Sequence, residues 1–168
     1  MEQAGGVADQ WRGEVEATLL ATPAAAAWPH LASFCSIHRY VPGVDTCERV
    51  AGEDGRPGCV RYLTTYGATG EVALWAREEL LELDDTARRI QYSMLDNNMG
   101  FGRYVATLRL LEIDGDGEEG ACKISWAYDC EPVRGMNEEG IVGFVTNCVK
   151  SIANKIEEAV RAASPSGV

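Results

Sequence analysis

Three residues able to take part in chemistry stand in stretches that otherwise read as strand core. Arg61 lies in "GCVRY", Glu78 in "LWAREELLELDD", and Tyr104 in "GRYVATLRL". Side chains alternate along a strand, so parity assigns each to a face. Arg61 groups with Cys59 and Leu63, Glu78 with Leu74, Ala76 and Leu80, and Tyr104 with Ala106, Leu108 and Leu110. All three therefore fall on faces that are otherwise apolar. A bare charge there is costly and requires a partner. Arginine and glutamate supply each other with a countercharge, and a phenol can donate to the carboxylate or to an oxygen of a ligand. The same pattern fits a purely structural ion pair.

These residues must be positioned by a sheet. "WRGEVEATLLA" alternates as a first strand, and Thr22-Pro23 reads as a helix N-cap followed by proline at the first helical position. A short helix is expected from Ala24, disturbed at Pro29 and restarting through Phe34, with a loop or second short helix before Pro42. Strands then follow almost continuously: Thr46–Ala51, Cys59–Thr65, Glu71–Glu82, Ala87–Leu95, Arg103–Ile113 and Ala121–Cys130, with "DGDGEEG" as a hairpin turn. From Asn137 to Ala163 the spacing becomes helical. Ile141, Phe144, Val145, Cys148, Ile152, Ile156 and Val160 recur every three or four residues behind an Asn137 cap.

This order predicts an α+β, helix-grip fold: a curved antiparallel sheet of about seven strands wrapped on a long C-terminal helix, with two short helices after the first strand. A long helix laid across a curved sheet leaves space between them, which is where ligands bind. Residues 11–163 are expected to form one ligand-binding domain, with disordered tails at 1–10 and 164–168. Parity and helix spacing add Leu63, Leu74, Tyr92, Met94, Leu108, Trp126, Tyr128, Phe144 and Cys148 as the cavity lining.

Composition narrows the function classes. A formal charge of −11 disfavours nucleic acid and anionic membrane surfaces as partners. With no basic and apolar leader at the N-terminus and no apolar run near ~18 residues, a cytoplasmic protein without membrane spans is expected. The six cysteines are scattered with no CxxC pair, so reduced thiols are expected. His30 and His38 lie eight residues apart with no ligand cluster at metal spacing, so neither a metal nor a cofactor is expected. GxGxxG, P-loop, HExxH and GxSxG motifs are absent from the sequence. Nothing in the sequence defines an oligomeric state.

The segments "AWPHLASFCSIHRYVP", "CERVAGEDGRPGCVRY", "LWAREELLELDD", "GRYVATLRL", "ISWAYDCEPVRGM" and "NKIEEAV" keep one order from about residue 11 to 160. Together they resemble the plant lachrymatory factor synthases, within the START-like, birch-pollen-allergen (polyketide cyclase/dehydrase) superfamily. The resemblance implies a cofactor-independent rearrangement of a short alkenyl sulfenic acid to a thial S-oxide. It maps the catalytic roles onto Glu78 (proton transfer), Arg61 (holding the polarised oxygen) and Tyr104 (orienting donor), and matches Trp126 to a pocket aromatic. Where those enzymes carry a tryptophan on the last helix this chain has Cys148, which alters the pocket's shape.

The same three positions also resemble those of abscisic-acid receptors, which only bind. Their Ser-Gly-Leu-Pro-Ala gate and His-Arg-Leu latch are replaced here by "TTYGATGE" and "DNNMGFGRY". A small hydrophobic ligand is implied on either reading. The expected activity is an isomerase or lyase of the synthase type; the alternatives are a non-catalytic carrier or sensor, and a polyketide cyclase or dehydratase.

Overall fold

The computed structural model describes residues 10–113 and 120–163. The expected terminal tails, apart from Gln10, and most of the "DGDGEEG" turn lie outside the described residues. Gln10 itself donates from Nε2 to Asp129 Oδ1 at 2.8 Å.

The chain runs β1 (Trp11–Leu19), α1 (Ala24–Leu31), a 3-10 helix (Phe34–Arg39), β2 (Thr46–Ala51), β3 (Val60–Tyr66), β4 (Val72–Asp84), β5 (Arg89–Asn97), β6 (Tyr104–Glu112), β7 (Cys122–Cys130) and α2 (Glu138–Ala163). The strands form one seven-stranded sheet in the order β1-β7-β6-β5-β4-β3-β2, and every pairing is antiparallel. This is the expected helix-grip arrangement. Sequential strands pair side by side, while β1 returns to lie against β7. Register shifts between β4 and β5, at Arg77/Glu78 and Leu80/Glu82, add residues to one side of the ladder and so bend and twist the sheet locally.

Helix α2 packs on the concave face. Its buried positions Ile141, Val145, Val149, Ile152 and Ile156 recur at steps of four, four, three and four, one stripe of an amphipathic helix. Burying each such side chain stabilises the fold by roughly 1.5–3 kcal/mol. Asn137 caps the helix as expected, its Oδ1 accepting the Gly140 N–H at 2.8 Å, with Glu138 and Glu139 in the positive first turn.

The start of α1 differs from expectation. The capping position falls on Pro23, which has no side-chain acceptor to offer. Thr22 instead donates its hydroxyl to Glu157 Oε2 at 3.1 Å, and the Ala21 N–H donates to the same oxygen at 3.0 Å. Glu157 therefore ties the β1–α1 connection to α2. Pro29 does not break α1, which continues to Leu31 before the chain tightens into the 3-10 helix. Among the described residues no helix is long and apolar enough to cross a membrane.

Candidate functional site

Arg61 and Glu78 face each other as register partners on β3 and β4. Both are buried, at 5% and 8% exposure. Glu78 Oε1 accepts from Arg61 Nε at 2.8 Å and lies 2.7 Å from Nη2, so one carboxylate oxygen receives two guanidinium donors. Arg61 Nη1 donates to the Phe34 carbonyl at 2.7 Å. The guanidinium carbon lies over two mutually tilted rings, 3.9 Å from the Phe34 centroid and 4.7 Å from that of Tyr92. Burial works against the charge on Arg61, but Glu78, with Tyr92 and Cys47, together outweigh it and leave the guanidinium pKa above its ordinary value. Among the described residues no hydrogen bond engages Glu78 Oε2.

Tyr104, 2% exposed at the start of β6, accepts a hydrogen bond from Trp126 Nε1 at 3.1 Å. Because the indole donates, the phenolic proton of Tyr104 stays available to a third group. Tyr104 does not hydrogen-bond Glu78. Burial first, and then Glu78, push the phenol's pKa upward, so it remains a donor. Tyr92 is raised in the same way, by burial and then Glu78.

These groups open onto a cavity of about 360 Å³ between the sheet, α2 and the segment following the 3-10 helix. That volume falls within the range of small-molecule sites. Of the residues expected in the lining, Arg61 and Leu63 enter from β3, and Leu74 and Glu78 from β4. Tyr92 and Met94 come from β5, Tyr104 from β6, Trp126 from β7, and Phe144 and Cys148 from α2. Burial, followed by the charge of Glu78, pushes the Cys148 thiol up to about 11, so it meets a guest as a neutral group.

Two expected lining residues do not reach this cavity. Leu108 lies deeper, beside a separate void of about 20 Å³ shared with Ile90 and Ile152. Tyr128 lays its ring over Gly13, its register partner on β1, in the space that a Cβ would fill. Parity assigned both to the correct face, but the long helix covers different stretches of that face at different depths.

Two loops missing from the expected lining close the cavity. Val41, Pro42, Gly43 and Val44 form one wall, pinned to β3 where the Tyr66 N–H donates to Asp45 Oδ2 at 2.7 Å and the Asp45 N–H to the Thr64 carbonyl at 2.7 Å. Met99 and Phe101 form another. There Asn97 Oδ1 accepts from the N–H groups of Met99 (2.7 Å) and Phe101 (3.1 Å), and its Nδ2 donates to the Phe101 carbonyl at 3.0 Å. This clamp sets Phe101 edge-on to Tyr104, with centroids 5.2 Å apart. The signal available in the sequence was apolar residues inside turn-rich loops, "YVPGV" and "NNMGF".

The site is thus an apolar chamber whose polar groups gather at one place. A model of the family described as polyketide cyclase / dehydrase and lipid transport matches residues 11–161. Among solved structures, the protein XoxI from Bacillus cereus is similar at a TM-score of 0.70 and 19% identity, over 91% of this chain and 97% of that one. An uncharacterised protein from Bacillus thuringiensis is similar at a TM-score of 0.67 and 19% identity, over 86% of this chain and 98% of that one. At this identity the likeness concerns the fold.

Proposed function

Since the chain belongs to the polyketide cyclase / dehydrase and lipid transport family, whose fold holds hydrophobic ligands, we propose that it rearranges a small, neutral, mostly apolar molecule by proton transfer in this cavity. One observation carries the proposal. A buried carboxylate faces an apolar chamber with one oxygen fixed by arginine and the other, Oε2, unengaged among the described residues. A fixed carboxylate with a free oxygen is suited to take and return a proton. The arginine–glutamate pair has no net charge, so a neutral guest is favoured over a carboxylate.

In this reading the activity is of the lachrymatory factor synthase type. With an alkenyl sulfenic acid, Glu78 Oε2 removes the S–O–H proton and returns it to the far alkenyl carbon. The C=C bond becomes single as C=S forms, and the composition is unchanged. Arg61 fixes Glu78 and places positive charge near the oxygen, while Tyr104 donates to that oxygen and orients it. The residue roles rest on the resemblance together with this geometry.

A second reading, a carrier or sensor of a hydrophobic metabolite, is favoured by how fully Arg61 is engaged by Glu78 and the Phe34 carbonyl. A polyketide cyclase or dehydratase would use the same carboxylate. Native mass spectrometry of the purified protein, followed by incubation of any captured guest, separates these readings. Conversion to an isomer of equal mass supports the proposed activity. An unchanged guest supports the carrier, and loss of water supports the dehydratase.

A further inference from the structure

Beside Arg61, where the chain enters β3, donor atoms from two neighbouring positions of the β2–β3 connection meet one from the 3-10 helix. The side-chain ligand atoms of Cys35, Asp54 and Cys59 all lie within 4.8 Å of one another. Cys35 comes from the 3-10 helix, Asp54 from the β2–β3 turn, and Cys59 from the residue preceding β3. The two sulfurs are 3.6 Å apart. Thiolates bound to one tetrahedral zinc at about 2.3 Å stand roughly 3.8 Å apart, whereas a disulfide requires about 2.05 Å. The present spacing is therefore close to the edge of a metal tetrahedron. Cys59 is fully buried, Cys35 half-buried and Asp54 exposed, which leaves an entry path on the aspartate side.

We propose that Cys35, Asp54 and Cys59 bind a thiophilic divalent cation of the zinc class, with the fourth position left to solvent. Two sulfur donors and one carboxylate suit such an ion, and would not suit calcium or magnesium. The site is separate from the cavity, since none of its three ligands lines it. Its connection to the cavity is mechanical. Cys35 follows Phe34, whose carbonyl and ring hold Arg61, and Cys59 precedes Arg61 by two residues. An ion here would fasten both sides of the arginine's cradle. The spacing of 24 residues between the two cysteines is unlike any linear zinc motif, which is why the sequence pointed away from a metal.

Titration of the reduced full chain with Co²⁺ tests the proposal. The expected result is a thiolate-to-cobalt charge-transfer band that saturates at one equivalent and is displaced by Zn²⁺. Zn²⁺ should also protect Cys35 and Cys59, but not Cys148, from alkylation mapped by mass spectrometry; this readout needs no variant. The band should vanish in Cys35→Ser and in Cys59→Ser, weaken at least about ten-fold in affinity in Asp54→Asn, and persist in Cys122→Ser. No band with the wild-type chain, a band surviving in the Cys35→Ser/Cys59→Ser double variant, or a Cys35–Cys59 disulfide forming in place of metal uptake would overturn the proposal.

Discussion

Arg61 and Glu78 are direct cross-strand partners on β3 and β4, and two guanidinium nitrogens converge on a single carboxylate oxygen. This asymmetry leaves one oxygen held by arginine and the other free for the proposed proton transfer. It also makes stability and activity distinguishable at the same residue pair.

Glu78→Gln retains a carbonyl oxygen for Arg61 but removes the base. Turnover is expected to fall on the order of 10²–10⁴-fold. The fold should persist with a lower Tm, because the guanidinium stays buried without its countercharge. Rate measurements on the native substrate beside circular dichroism and thermal melts check both halves. Wild-type turnover in this variant would remove the proposed mechanism.

Arg61→Ala leaves Glu78 buried without a partner and is expected to cost about 3–5 kcal/mol. The double replacement Arg61→Met/Glu78→Leu should recover most of that stability, since well-packed apolar groups commonly match a buried ion pair, yet remain inactive. Chemical denaturation of the single and double variants measures the difference.

Tyr104→Phe removes the acceptor for Trp126 Nε1 as well as the donor to the guest. A buried donor left without a partner costs about 1–3 kcal/mol. Trp126→Phe in the same chain should relieve part of that loss without restoring affinity. Melting temperature and ligand titration distinguish the two effects.

Alkaline pH should loosen the fold before it alters the strands' ion pairs. Burial raises Cys122, Cys130 and Cys148 from the ordinary 9.0 to about 11, so the native state prefers the protonated thiol. Stability from these groups is complete below pH 9 and is lost as pH rises toward about 11. A Tm profile across this window should flatten progressively as the thiols are replaced by alanine.

Cys148→Trp should shrink the chamber from the α2 side and exclude the bulkier guests, leaving short ones bound. A displacement series with probes of increasing chain length reads this out.

Much of the site was legible because a strand has a period of two. Once β3, β4 and β6 were located, the faces of Arg61, Glu78 and Tyr104 followed from counting, and the amphipathic spacing of α2 gave Phe144 and Cys148. Counting yields a face but not a depth, so Leu108 and Tyr128 were grouped with residues that reach the cavity. Val41–Val44 and Met99–Phe101 have no period, and their positions depend on hydrogen bonds from Asp45 and Asn97. Thr22 carried the correct capping chemistry, yet Glu157, 135 positions away, engaged its hydroxyl. Such long-range competition leaves no local trace.

The Asn97 clamp has a kinetic consequence. The wall that it supports is held by loop bonds, from Asn97, between Asn98 and the Trp75 and Ala73 backbones, and from the Arg134 N–H to the Gly100 carbonyl, whereas the opposite side of the chamber is a continuous ladder of strands. Local fraying of so short a segment is far easier than opening the sheet. A guest is therefore expected to exchange with solvent past this loop while the charged pair beneath stays in register.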